Sequence, residues 1–277
     1  MLNFYLKRIK WVFFNSYRWV VFSFFTDYYL VGYPKTGNTW CRYFLAVYFR
    51  KIFNVPLELS FDRRITKIHK GVPRIYFSHI GTVPGHQAYL ITQLDIKKVL
   101  EKTFKQLRNK KIIFLARDPR DTVVSLYFHI KRSNNLDITI SEFVRDDGMG
   151  IERIVYYMNE WYKNRDKFKS FDVFRYEDRL DDPEKESLRM VNILTLPVSQ
   201  EAIKSSVIES SFDKMQQIEK NRSIDHKTFL SGDANDVETY RVRKGKVGGY
   251  LEYLNEDDIE YCNEVVLNLN KVFKYNV

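Results

Sequence analysis

Residues 27–40 read Asp27-Tyr28-Tyr29-Leu30-Val31-Gly32-Tyr33-Pro34-Lys35-Thr36-Gly37-Asn38-Thr39-Trp40. The run from Asp27 to Val31 is apolar and aromatic enough for a buried strand. Cys41 to Arg50 follows as a helix, with Tyr43, Phe44, Val47 and Tyr48 able to share one face. The order strand, tight loop, helix aims free backbone N–H groups and the positive end of the helix dipole at one spot. Lys35 adds a full charge there, Gly37 permits close backbone approach, and Thr36 and Thr39 carry hydroxyls. This chemistry calls for a phosphate or a similar oxyanion. The ATP-type loop is different, because its lysine follows the second glycine and precedes Ser or Thr. The octapeptide by itself also fits an ordinary strand–helix turn with a surface lysine.

Outward from this stretch, 277 residues fit one large domain or two small ones and suffice for a sizeable core, and 44% hydrophobic with 16% aromatic residues exclude disorder. A net charge of +10 favours acidic partners: a nucleotide, a nucleic acid, a sulfated or phosphorylated substrate, or an anionic membrane. Cys41 and Cys262 make neither a disulfide framework nor a metal site, and they suit a reducing compartment. Residues 1–26 place Lys7, Arg8 and Lys10 before Trp11-Val12-Phe13-Phe14 and Trp19-Val20-Val21-Phe22. Asn15, Ser16 and Arg18 interrupt the apolar run, so neither a signal peptide nor a spanning helix is expected. The segment reads as a helical extension packed on the core, with a basic, aromatic helix lying on a membrane or a lipid-like acceptor as the alternative.

Residues 54–70 read as an irregular connection and 73–79 as a short strand ending in His79. Residues 95–109 read as a helix with one buried stripe. Lys111 to Ala116 is a buried strand that delivers Arg117 to its C-terminal edge, where open α/β sheets bind ligands. Pro119 suits the first turn of the next helix, and Ser125 lies about two turns along it. Residues 151–168 are expected as an amphipathic helix, 171–178 as a strand, and 183–194, 199–209 and 211–220 as helices. Residues 221–242 read as a polar loop leading into Arg243-Lys244-Gly245-Lys246-Val247-Gly248-Gly249, a basic turn suited to clamping an anion. A last helix is expected over about 256–274.

Together these stretches resemble the sulfotransferases that use 3′-phosphoadenosine 5′-phosphosulfate (PAPS). Tyr33 to Trp40 is similar to their 5′-phosphosulfate loop, Tyr-Pro-Lys-Ser-Gly-Thr-Thr-Trp, with Thr36 and Asn38 as departures. Arg117-Asp118-Pro119-Arg120-Asp121-Thr122-Val123-Val124-Ser125 resembles the 3′-phosphate element. Arg175-Tyr176-Glu177-Asp178, Ser211-Phe212-Asp213-Lys214-Met215 and Arg243-Lys244-Gly245-Lys246-Val247-Gly248 resemble three further motifs, in family order. The resemblance implies a single α/β domain over 27–277, with a central parallel sheet flanked by helices and a P-loop-like 5′-phosphosulfate loop. It implies that Lys35 contacts the oxygen bridging phosphate and sulfuryl group, and that Thr36, Gly37, Asn38, Thr39 and Trp40 hold the 5′-phosphate and the adenine side. Arg117 and Ser125 would grip the 3′-phosphate with Arg243, Lys244 and Gly245. Tyr176, Phe212 and Met215 would lie near the adenine end.

The implied catalytic base is His79, with His69 as competitor. The family's Lys-Thr-His becomes Phe77-Ser78-His79 here, so the second lysine at the sulfuryl group is replaced by an aromatic ring. No metal is called for, and the nucleotide product would be adenosine 3′,5′-bisphosphate. The expected acceptor is a hydroxyl (or amine) of a glycan, lipid or small molecule, recognised by residues within 54–70, 80–94, 129–150 and 221–242, with no nucleic acid as partner. The expected location is cytoplasmic, with peripheral membrane contact through residues 1–26 as the alternative. A P-loop kinase and a catalytically silent nucleotide-binding protein are the rival readings, and acceptor identity and oligomeric state stay open.

Overall fold

The computed structural model describes residues 26–60, 69–79, 95–134, 137–224, 229, 240 and 242–276. The expected N-terminal extension up to residue 25, all of the acceptor loop 80–94 with most of 221–242, and part of 54–70 lie outside them. Among the described residues four parallel strands form the sheet: β1 (Tyr28–Gly32), β2 (Ile75–Ser78), β3 (Lys111–Ala116) and β4 (Ser170–Arg175). Their spatial order is β2-β1-β3-β4. The chain steps from β1 outward to β2, then crosses back to β3 on the opposite side of β1. The C-terminal edges of β1 and β3 therefore border the point where strand order reverses, which is where ligands settle in such sheets.

The central strands β1 and β3 are near-continuous apolar runs because helices cover both faces. Tyr29, Val31, Ile112 and Phe114 point into one core, with Tyr157, Met158 and Trp161. That face is covered by α4 (Pro119–Asn134), α6 (Ile151–Lys163) and α11 (Glu256–Leu267). Tyr28, Leu30, Ile113 and Leu115 point into the other, with Phe44, Tyr48, Met190 and Ile203. Here the cover is α1 (Asn38–Phe53), α8 (Pro183–Ile193) and α9 (Gln200–Glu209). The alternation along β1 and β3 follows from the two-residue side-chain period of a strand.

The remaining elements set the edges. A short α2 (Leu57–Ser60) and α3 (Ile96–Gln106) lie between β1 and β3 in sequence, and α5 (Ile140–Val144) opens with a capping box between Thr139 and Glu142. The expected elements are corrected in four places. Residues 57–60 are helical within the supposedly irregular connection. The helix from 151 stops at Lys163, giving way to a 3₁₀ turn at Arg165–Lys167. The strand expected over 171–178 ends at Arg175, and Tyr176–Asp181 forms α7. The last helix ends at Leu267, with a separate 3₁₀ turn at Lys271–Phe273. Cys41 and Cys262 are buried free thiols. Among the described residues no helix is long and apolar enough to cross a membrane, and no group of His, Cys, Asp and Glu could hold a metal ion.

Candidate active site

The site starts at the end of β1. Gly32 is required there: a Cβ would stand 2.5 Å from Oγ1 of Thr36 and 2.6 Å from the Leu115 carbonyl oxygen. Thr36 is buried, and its hydroxyl donates to the carbonyl of Tyr33 at 2.8 Å, closing the loop on itself. Lys35 takes φ 78° and Gly37 φ 102°, both in the left-handed region. Gly37 is the N-cap of α1 and offers no side-chain cap, and no acidic residue occupies the first turn. The N–H groups that begin α1 are thus left for an outside acceptor, and the helix dipole adds positive potential.

Four distant stretches close around this loop. Arg117, at the end of β3, donates through Nη1 to the Lys35 carbonyl at 3.3 Å and through Nη2 to the Lys246 carbonyl at 3.2 Å. Its guanidinium lies 4.4 Å from the ring centre of Tyr176 in α7, and a Cβ on Gly37 would sit 3.1 Å from that same ring. Gly245 (φ 59°) lies so close to Phe212 of α10 (Phe212–Asn221) that a Cβ would stand 2.2 Å from the ring. Gln216, one turn further on, donates to the carbonyls of Val242 and Arg243 at 3.2 and 3.1 Å. The loop of β1, the end of β3, the start of α7, α10 and the C-terminal basic turn therefore meet.

The individual site residues fall as follows. Trp40 stacks on Phe44 with ring centres 5.1 Å apart, and Asn38 and Thr39, both half-buried, begin α1. Ser125 is half-buried on α4. Arg243 reaches the same helix, with its guanidinium 4.4 Å from the Phe128 ring while it donates to the Tyr253 hydroxyl at 2.6 Å. Lys244 pairs with Glu252 at 2.6 Å, as does Lys246. Met215 is buried in the apolar core beneath α10.

The two histidines lie in different surroundings. Nδ1 of His79 stands 2.8 Å from the carbonyl oxygen of Gly32, beside the loop. Nδ1 of His69 accepts from the Gly71 amide at 3.3 Å, and its ring lies 4.5 Å from Phe53, the last residue of α1. Some fifteen helical residues at about 1.5 Å each separate that end of α1 from the loop.

Sequence reasoning gave no role to several residues that shape this site. Asp121 accepts the amides of Gly248 and Tyr250 at 2.9 and 3.0 Å, tying the basic turn to α4, and stands 3.9 Å from Arg117. Burial raises its pKa, against the pull of Arg117. Glu177 accepts the amide of Asp118 at 2.9 Å and so fixes β3's end against α7. Arg42 lies 4.5 Å from the Phe77 ring centre and donates to the Phe77 carbonyl at 3.3 Å, so a cation stands at the strand end that has Phe77 for lysine. Arg179 lies 4.5 Å from the Trp40 ring and 4.7 Å from the Tyr176 ring. For Arg42 the available signal was a cation set among otherwise apolar helix positions, whereas Arg179 lies in the polar run Tyr176–Asp181, which gave none.

Nε of Arg117 is buried and has no hydrogen-bond partner among the described residues. With the uncapped start of α1, it leaves donors where phosphate oxygens would complete them, so the residues fit a phosphorylated nucleotide.

A model of the sulfotransferase domain matches residues 25–273 of the chain. The flavonol 3-sulfotransferase of Flaveria bidentis is 24% identical over 87% of this chain and 80% of that protein. The amine sulfotransferase of Oryctolagus cuniculus is 23% identical over 86% and 79%. Among solved structures, a retinol dehydratase in complex with androsterone and the inactive cofactor PAP superposes with a TM-score of 0.58 at 17% identity, covering 87% of this chain and 80% of that one. Mouse sulfotransferase SULT7A1 complexed with PAP gives a TM-score of 0.55 at 20% identity, covering 86% and 82%.

Proposed function

This chain belongs to the sulfotransferase-domain family, and we propose that it transfers the sulfuryl group of PAPS to a hydroxyl or amine. The observation that carries the reading is the convergence of Lys35, Arg117, Tyr176 and the turn from Arg243 to Gly248 on the uncapped N-terminus of α1. Two of the similar structures are complexes with PAP, which supports the same nucleotide here.

PAPS would supply a sulfuryl group on a phosphate leaving group. Arg117, Ser125 and Arg243 would hold the 3′-phosphate, with Lys244 and Gly245 closing over it. Thr36, Gly37, Asn38, Thr39 and Trp40 would hold the 5′-phosphate and the adenine side, with Tyr176, Phe212 and Met215 at that end. Lys35 and the first amides of α1 would hold the negative charge that gathers on the leaving oxygen as the sulfur–oxygen bond breaks. His79 would take the acceptor's proton as the new sulfur–oxygen bond forms. Arg42 would bring to the end of β2 the positive charge that Phe77 does not carry.

The acceptor would be a glycan, a lipid or a small alcohol, phenol or amine. The test is transfer from sulfur-labelled PAPS to phenols, aliphatic alcohols and amines, and to lipid and polysaccharide fractions. Label appearing in an acceptor supports the reading. Tight binding of adenosine 3′,5′-bisphosphate with no transfer to any class would make the chain a silent nucleotide binder. Binding of ATP with magnesium in preference to the bisphosphate would favour a kinase.

A further inference from the structure

Burial and a neighbouring guanidinium oppose the charge of Arg179. Its guanidinium lies 4.5 Å from the ring centre of Trp40, in the first turn of α1, and 4.7 Å from that of Tyr176. Arg117 lies 4.4 Å from the same Tyr176 ring. One tyrosine is thus shared by two guanidiniums, and their like charges repel. The nearby helix start adds the positive end of its dipole, with no acidic side chain in its first turn.

No carboxylate among the described residues pairs with Arg179. Two acidic groups of its own helix are engaged elsewhere, and the third, Asp181, is exposed. Glu177 accepts from Asp118 and from the hydroxyl of Tyr275, and Asp178 pairs with Arg175. Asp182 caps α8 through the Lys185 amide. Burial lowers the pKa of Arg179 from its ordinary value against the pull of Tyr176 and Cys41, and the repulsion of Arg117 acts in the same direction as burial. A structural arginine at such a place would normally be matched by an anion, because a buried, uncompensated charge is costly. Part of the Arg179 surface nevertheless stays open.

We propose that Arg179 is a nucleotide-binding residue whose missing counter-ion is a phosphate of the bound bisphosphorylated adenosine, so that Arg117 and Arg179 grip the ligand from either side of the reach of Tyr176. The proposal rests on the reading of this chain as a PAPS-type enzyme. Trp40 and Tyr176 hold the guanidinium in place through cation–π contact, which sets its orientation before the ligand arrives. The cost of keeping the charge falls on the free protein, and the ligand offsets it on binding.

The test compares native chain with Arg179→Met and Arg179→Gln, by calorimetric binding of adenosine 3′,5′-bisphosphate and by melting with and without it. Met keeps the apolar stem and removes the charge. The free protein with Arg179→Met is expected to melt at the native temperature or above it. Its affinity for the bisphosphate is expected to fall about tenfold or more, the loss of a charge-assisted bond, with a smaller ligand-induced rise in melting temperature. Binding by Arg179→Met within twofold of native would overturn the proposal and leave the nucleotide reading intact. If Arg179→Met melts well below native, Arg179→Gln decides: a tenfold loss of affinity supports the proposal, and native affinity makes Arg179 a structural stack. Native protein that ignores the bisphosphate while binding ATP would sink both this proposal and the function it rests on.

Discussion

Nδ1 of His79 lies 2.8 Å from the carbonyl oxygen of Gly32. A carbonyl can only accept, so Nδ1 carries the proton and Nε2 is the basic nitrogen of the neutral ring. The same backbone that begins the loop therefore sets the tautomer of the proposed base. His79→Asn keeps a donor near the Nδ1 position and has no basic nitrogen. Its turnover with labelled PAPS should fall by about 10²–10⁴-fold, while binding of adenosine 3′,5′-bisphosphate stays close to native. His69→Ala should leave turnover nearly unchanged. Full activity in His79→Asn, or its loss in His69→Ala, would move the base to the other histidine.

Lys35 combines two roles that can be separated. Its backbone sits at φ 78° and its carbonyl is held by Arg117, while its side chain is the proposed stabiliser of the leaving oxygen. A non-glycine residue in the left-handed region stores about 1 kcal/mol or more. Lys35→Gly relieves that strain and Lys35→Ala retains it. Both variants should lose about 10²–10³ in turnover, with a much smaller loss of nucleotide affinity. In chemical denaturation Lys35→Gly should exceed Lys35→Ala in stability by about 1 kcal/mol, less whatever glycine gains in unfolded-state entropy. Equal turnover in Lys35→Ala and native chain would remove the catalytic role.

Much of the fold is legible in the sequence. β1 and β3 are uninterrupted apolar runs, and Pro34, Gly37 and Pro119 mark where strand gives way to helix. The order β2-β1-β3-β4 could not be read that way, because periodicity reports which face of a strand is buried and nothing about its neighbour. The stretch Tyr176 to Asp178 misled for a related reason. It has no decisive period, and the contact that ties it to the sheet, the Asp118 amide donating to Glu177, comes from 59 residues away. Lys35, Gly37 and Arg117 were legible because a phosphate loop needs those residue types at set positions. Arg42 and Arg179 were not, since each acquires meaning only from the rings the fold brings against it, Phe77 for one and Trp40 with Tyr176 for the other.

Gly245 couples the basic turn to α10. It adopts φ 59°, and an added Cβ would stand 2.2, 2.6 and 2.8 Å from three ring atoms of Phe212. Neither the backbone nor the ring can absorb that without moving. Gly245→Ala should therefore displace the turn that carries Arg243 and Lys244 and weaken bisphosphate binding by about tenfold. The melting temperature of the free protein should change little, since the turn lies on the surface and carries few core contacts. Phe212→Leu alone should cost some affinity at the adenine end, and combined with Gly245→Ala the loss should be smaller than the sum of the two, a coupling expected of residues in direct contact. Additive losses in the double variant would show that the ring is not what the alanine meets.

Glu177 gives the site a signature in pH. Its carboxylate accepts the Asp118 amide at 2.9 Å and the Tyr275 hydroxyl at 2.7 Å. Burial is the largest influence and raises its pKa above the ordinary 4.5; the two hydrogen bonds act the other way, and the charge of Asp118 adds to the rise. An acid with a raised pKa binds more protons folded than unfolded between the two values. Its contribution to stability is therefore least favourable at neutral pH and recovers as pH falls through the folded pKa toward 4.5. Glu177→Gln keeps an oxygen for the Asp118 amide, offers an N–H to the Tyr275 oxygen, and carries no charge. In urea unfolding at a series of pH values, the variant should gain on the native chain as pH rises from 4.5 to neutrality. Below that window the difference between the two should become flat. A gap that stays constant through the window, or one that moves toward the native chain at neutral pH, would mean that the hydrogen bonds outweigh burial at this carboxylate.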